Sequence, residues 1–124
     1  MKINACIKKQ LFLVAACFSF LVNGLHAQMP KSGTYTYNYC DEEYRHCMGK
    51  CKIKIKGTHI IIYAPQGLTG ISEGDIYTQG TLFKHRSGKW IIARNKKDRT
   101  AKEVGGCGSN PSWIDFKKKQ FWTC

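Results

Sequence analysis

From Thr34 onward the chain alternates between apolar and polar positions. In TYTYNY (34–39), Tyr35, Tyr37 and Tyr39 fall on one face and Thr34, Thr36 and Asn38 on the other. A period of two is the mark of a half-buried β-strand. CKIKIKG (51–57) repeats the pattern, with Cys51, Ile53 and Ile55 directed inward and Lys52, Lys54 and Lys56 outward. The β-branched run THIIIYA (58–64) pairs back through a tight turn near Gly57, which predicts a hairpin. DIYTQGTLFKH (75–85) reads as a strand with a bulge or bend at Gly80, SGK (87–89) as a turn and WIIARN (90–95) as the returning strand. WIDF (113–116) and QFWT (120–123) are short aromatic strands around Lys117, Lys118 and Lys119. About seven short strands separated by turn signals predict a mainly β fold, a small antiparallel sandwich or barrel.

One segment breaks the alternation. Residues 41–50 begin with Asp41, Glu42 and Glu43 and carry Arg45 and Lys50 toward their end, the charge order a helix dipole favours. Cys40, Tyr44, Cys47 and Cys51 then share one helical stripe. A short helix is therefore expected near 41–50, with Gly49 weakening it. Residues 65–74 and 96–112 are rich in glycine and polar residues and read as loops. A loop as long as the second is in general functional or tethered.

The N-terminus changes the picture of compartment. Lys2, Lys8 and Lys9 precede the apolar run LFLVAACFSFLV (11–22), and Ala27 is a suitable last residue before a cut. That is the pattern of a secretory signal peptide over 1–27, and the apolar run is too short to span a bilayer as a helix. A competing reading is that Val14-Ala15-Ala16-Cys17 resembles a lipobox, which would leave a lipid on Cys17. The apolar residues that continue past Cys17 favour cleavage after Ala27. The mature chain, 28–124, is then one small β-rich domain. Loss of three lysines and no acid takes the formal charge from +12 to +9.

A domain of this size has a thin core and, when exported, commonly adds disulfides. Of the seven cysteines, Cys6 and Cys17 lie in the leader, which leaves Cys40, Cys47, Cys51, Cys107 and Cys124 as disulfide candidates, one of them unpaired. If 41–50 is helical, Cys40 and Cys47 stand about two turns apart, beyond bridging distance. The expected pairing is then Cys51 with Cys107 and either Cys40 or Cys47 with Cys124; Cys40 with Cys51 is an alternative clip. Cys47-x3-Cys51 beside His46 has no second ligand pair, so no metal is expected, and the absence of Cys-x-x-Cys argues against redox chemistry.

No nucleophile elbow, phosphate loop or metal-hydrolase motif occurs, so no catalytic residue or cofactor is nominated. His46, His59 and His85 read as surface or edge residues. The positive charge is the informative feature. Lys52, Lys54 and Lys56 form a row on one strand face, and Lys117–Lys119 with an exposed Trp113 or Trp122 would make a basic aromatic patch. Such surfaces suit an anionic polysaccharide, an envelope surface or a protein partner; export argues against nucleic acid, and membrane attachment requires lipidation at Cys17. The expectation is an exported, basic, non-enzymatic binding domain. The alternative from another class is an exported inhibitor or small enzyme using the 65–75 or 96–112 loop.

Overall fold

The computed structural model describes residues 28–124; the leader expected over 1–27, including Cys17, lies outside the described residues. Seven strands form a closed barrel in sequence order: β1 (Gly33–Asp41), β2 (His46–Lys56), β3 (His59–Tyr63), β4 (Ile76–Lys84), β5 (Trp90–Ala93), β6 (Trp113–Asp115) and β7 (Gln120–Thr123). Each consecutive pair is antiparallel, but β1 and β7 close the barrel in parallel. The expected antiparallel arrangement needs that one correction. In an up-and-down chain of seven strands the last runs in the same direction as the first.

The inward alternation fills the interior with side chains, as a narrow barrel requires. Tyr37, Tyr39, Cys51, Ile53, Ile55, Ile60, Ile62, Leu82, Ile92, Ile114 and Phe121 form one buried cluster. Gly80 is not a bulge: it sits in regular pairing opposite Ile60, and the register shift between β3 and β4 falls at Ile62/Tyr63. Gly80 is needed for close approach, since a Cβ there would lie 2.5 Å from the Ala93 carbonyl oxygen.

The helix expected over 41–50 is absent. Residues 42–45 are a turn and β2 begins at His46. Asp41 Oδ1 instead accepts the backbone N–H groups of Glu43 (2.7 Å) and Tyr44 (3.2 Å), an aspartate turn, and Arg45 takes a positive φ of 52°. Asn38 pairs with Lys50 and Cys40 with Cys47, so Tyr39 faces two residues, Met48 and Gly49. That is a β-bulge, and Gly49 supplies its left-handed position (φ 80°).

This hairpin corrects the expected disulfides. With the strands in register, Cys40 and Cys47 face one another and are bonded, and Cys107 bonds Cys124. Cys51 is free and buried inside the barrel. The separation that excluded Cys40–Cys47 belonged to a helix that does not form. Two disulfides indicate an oxidising, extracytoplasmic environment.

The loops divide unequally between the ends of the barrel. One end carries tight turns (57–58, 85–89 and 116–119) and the N-terminal segment 28–32, while the other, the mouth, carries 42–45, 64–75, 94–112 and the C-terminus. The 94–112 segment contains one helical turn, α1 (Lys96–Arg99), capped by Asn95 and held by the buried Asp98, which accepts Arg94 N–H at 2.9 Å. His85 is also buried, correcting its expected surface position. Its Nε2 donates to the Ala101 carbonyl (2.6 Å) while Nδ1 accepts from Ser87 N–H (3.1 Å), which ties the loop to the β4–β5 turn.

Candidate anionic-partner face

Lys50, Lys52, Lys54 and Lys56 all stand exposed on the outer side of β2. Their alternation with Cys51, Ile53 and Ile55, which are committed to the core, leaves them no other direction. Successive lysines on such a strand are about 7 Å apart, within the roughly 8 Å screening length of physiological salt, so their fields add. Their cross-strand neighbours are Asn38, Thr36 and Thr34 on β1, and Ile61 and His59 on β3. None of these is a carboxylate. Among the described residues the one ion pair is Arg94–Asp98, away from this row. The result is a basic strip without an ion-pair partner among the described residues, beside two threonine hydroxyls. Lys52, Lys54 and Lys56 were legible as a row; Thr34 and Thr36 enter only through the strand register.

β3 pairs with β2 only from Ile53 to Lys56. Where continued pairing would set Lys52 against Tyr63 and Cys51 against Ala64, the strands part. A cleft of about 520 Å³ opens there, lined by Thr36, Lys50, Cys51, Lys52, Tyr63 and Glu73 among others. Nothing in the local sequence announces it, because it depends on where β3 turns away.

The second expected patch comes together only in part. Trp113 and Trp122 are cross-strand partners whose rings stack at 5.9 Å and 7°. Lys117, Lys118 and Lys119 lie in the β6–β7 turn, at the opposite end of those strands, where Asp115 Oδ1 accepts the N–H groups of Lys117 and Lys118. The cation over Trp113 is Lys89, 4.2 Å from the ring centroid. The Trp113 indole N–H donates to Glu42 Oε1, and the buried Gly105 packs against the same indole. Trp113 thus fastens the 94–112 loop and the β1–β2 turn to the barrel wall rather than presenting a free ring.

At the mouth a smaller polar pocket of about 250 Å³ is lined by Arg94, Asn110, Tyr77, Ser112 and Thr123. A chain of hydroxyls leads to it from the core: Tyr39 donates to Tyr77 (3.2 Å), Tyr77 meets Thr123 (3.4 Å), and Thr123 meets Ser112 (2.9 Å). Glu43 lies beside Cys107 and Cys124, but their sulfurs are bonded to each other and offer no thiolate to a metal.

The free cysteine is a core residue. Burial pushes the Cys51 thiol up to about 11, and its S–H lies 3.6 Å from the Tyr37 carbonyl it donates to. Burial raises Tyr37 and Tyr39 as well, Tyr39 further through its bond to Tyr77. At pH 7 Cys51 is protonated, so iodoacetamide should leave the folded 28–124 chain unlabelled and add one group after unfolding in urea. A raised pKa in the folded state contributes stability below the ordinary thiol value and loses it as pH rises toward the folded value. Stability should therefore fall from about pH 9 upward, by roughly 1 kcal/mol at pH 10 from Cys51 alone. Urea midpoints at pH 7 and pH 10, with Cys51→Ala showing the shallower decline, check this.

No family model, curated protein or solved structure matches the chain.

Proposed function

We propose that this is an exported, non-enzymatic binding module that lays the outer face of β2 along an anionic polysaccharide. The observation that carries the reading is the row Lys50, Lys52, Lys54 and Lys56, four exposed cations in line with no carboxylate among their cross-strand neighbours. Thr34 and Thr36 flank the row and offer hydroxyls to a sugar chain, and the net charge favours an anionic partner throughout. The leader pattern and the two disulfides agree with release into the periplasm or beyond the cell, with cleavage after Ala27. An N-terminal mass showing acylated Cys17 would instead make it a lipid-anchored envelope protein.

Heparin and polygalacturonate serve as probes of the row. Reversing three charges (Lys52→Glu, Lys54→Glu, Lys56→Glu) should weaken binding by roughly 100- to 200-fold at low salt, from about 0.5 kcal/mol per lost pair and a similar repulsion gained. Raising the salt should weaken wild-type binding and have a smaller effect on the variant. The turn variant Lys117→Glu, Lys118→Glu, Lys119→Glu is the control and should lose less. Equal loss in both variants would reduce the row to non-specific charge.

A further inference from the structure

We infer that the cleft between β2 and the end of β3 is a strand-addition site for a short extended peptide with acidic residues at alternate positions. The first observation is an unused backbone edge. β1 satisfies one side of β2 at Lys50–Lys52, but β3 has already left the other side after Ile53. Among the described residues no backbone hydrogen bond from a turn or loop reaches Lys50, Cys51 or Lys52, and the last β2–β3 pair is Ile53 with Ile62. The facing wall is saturated: Ala64 N–H donates to the Asp75 carbonyl (2.8 Å) and the Ala64 carbonyl accepts Gly74 N–H (3.0 Å). An incoming strand therefore finds main-chain partners on β2 and side-chain contact on the other wall. This is the arrangement that β-augmentation uses.

The second observation is what the two faces of such a strand would meet. Its inward side chains would lie over Cys51 and Ala64, both buried and small, which admits small apolar residues. Its outward side chains would stand beside Lys50 and Lys52, where opposite charges across a strand pair are favourable and like charges are not; Glu73 is the one acid lining the cleft, against these two lysines. Alternating acidic and small apolar residues satisfy both faces. The same lysines disfavour a second copy of this chain, because pairing two β2 edges brings lysine against lysine. The site is short. Gly49 leaves the extended course at φ 80°, and Pro65 lies beside it, 4.0 Å from where a Gly49 Cβ would stand. Only Lys50 and Lys52 turn main-chain groups to the cleft, which gives a few main-chain bonds and so a transient, low-affinity contact.

The inference shares Lys50 and Lys52 with the proposed polysaccharide face but rests on the peptide backbone, which lets the two fail separately. The probe is Ac-Glu-Val-Glu-Val-Glu-NH2 titrated into the ¹⁵N-labelled mature chain with its disulfides intact. Shifts should centre on Lys50–Lys52 and Tyr63–Ala64, with exchange at the cleft-facing amide of that edge slowed at least tenfold at saturation. Methylating the backbone nitrogens of the central glutamate and both valines keeps every charge and removes the β2-facing donors whichever way the strand runs, and should weaken binding at least tenfold. Equal binding by the methylated peptide would overturn strand addition while leaving heparin binding untouched. Shifts centred elsewhere, no binding at millimolar peptide, or concentration-dependent pairing of the protein with itself at that edge would overturn it too.

Discussion

Truncating Phe121 to alanine should lower the free energy of unfolding by about 3–5 kcal/mol, the range for deleting a large buried aromatic side chain. Phe121 is fully buried, and its ring packs at 5.9 Å from Tyr39 and 6.0 Å from Tyr77. It sits on the four-residue β7, between Ile114 of β6 and Tyr39 of β1, so the cavity would open at the strand pair that closes the barrel. A domain of this size commonly has about 5–15 kcal/mol to lose. The urea midpoint should drop sharply with little change in slope, and Tm by about 12–40 °C on the usual scaling for domains of 60–100 residues. Phe121→Leu should recover most of the loss. If alanine were tolerated within 1 kcal/mol, the closure through β7 would be wrong.

Removing the Cys107–Cys124 disulfide, as Cys107→Ser with Cys124→Ser, should cost about 3 kcal/mol on the chain-entropy account, given a sequence separation of 17. The bond ties the glycine-rich loop to the end of the chain. Without it, the Gly105 contact with Trp113 and the Glu42 bond to the indole should loosen, and tryptophan fluorescence should shift to the red before global unfolding. Cys40→Ser with Cys47→Ser should cost less, since that bond joins strands already in register around a turn held by Asp41. Calorimetry of the two double variants ranks them. The reverse order would show that the loop is held chiefly by its side-chain contacts.

The seven strands were legible because the alternation is strong wherever the core claims every second residue, as in Tyr35–Tyr39 and Cys51–Ile55. The 41–50 segment misled because a turn with acids at its start carries the same charge order as a helix. Asp41 accepting two backbone N–H groups, Arg45 at positive φ and the bulge at Gly49 are turn chemistry that a helical stripe mimics. The pairing error followed directly from it. The lysine row was legible because its period matches the strand. The cleft, the Lys89–Trp113 contact and the burial of His85 were not, for each brings together residues far apart in sequence through the course of a long loop. The helical turn at Lys96–Arg99 was hidden by its shortness; Asn95 followed three residues later by Asp98 is the capping signal that could have found it.

The central claim is that the outer face of β2 is the binding face, and residue-level mapping tests it most directly. Titration of the ¹⁵N-labelled mature chain with a short heparin oligosaccharide should shift the amides of Lys50–Lys56 and, across the ladder, Thr34 and Thr36, with the shifts shrinking as salt is raised. Perturbations centred instead on Lys117–Lys119 or on the mouth pocket around Arg94 and Asn110, with the β2 amides unmoved, would contradict it.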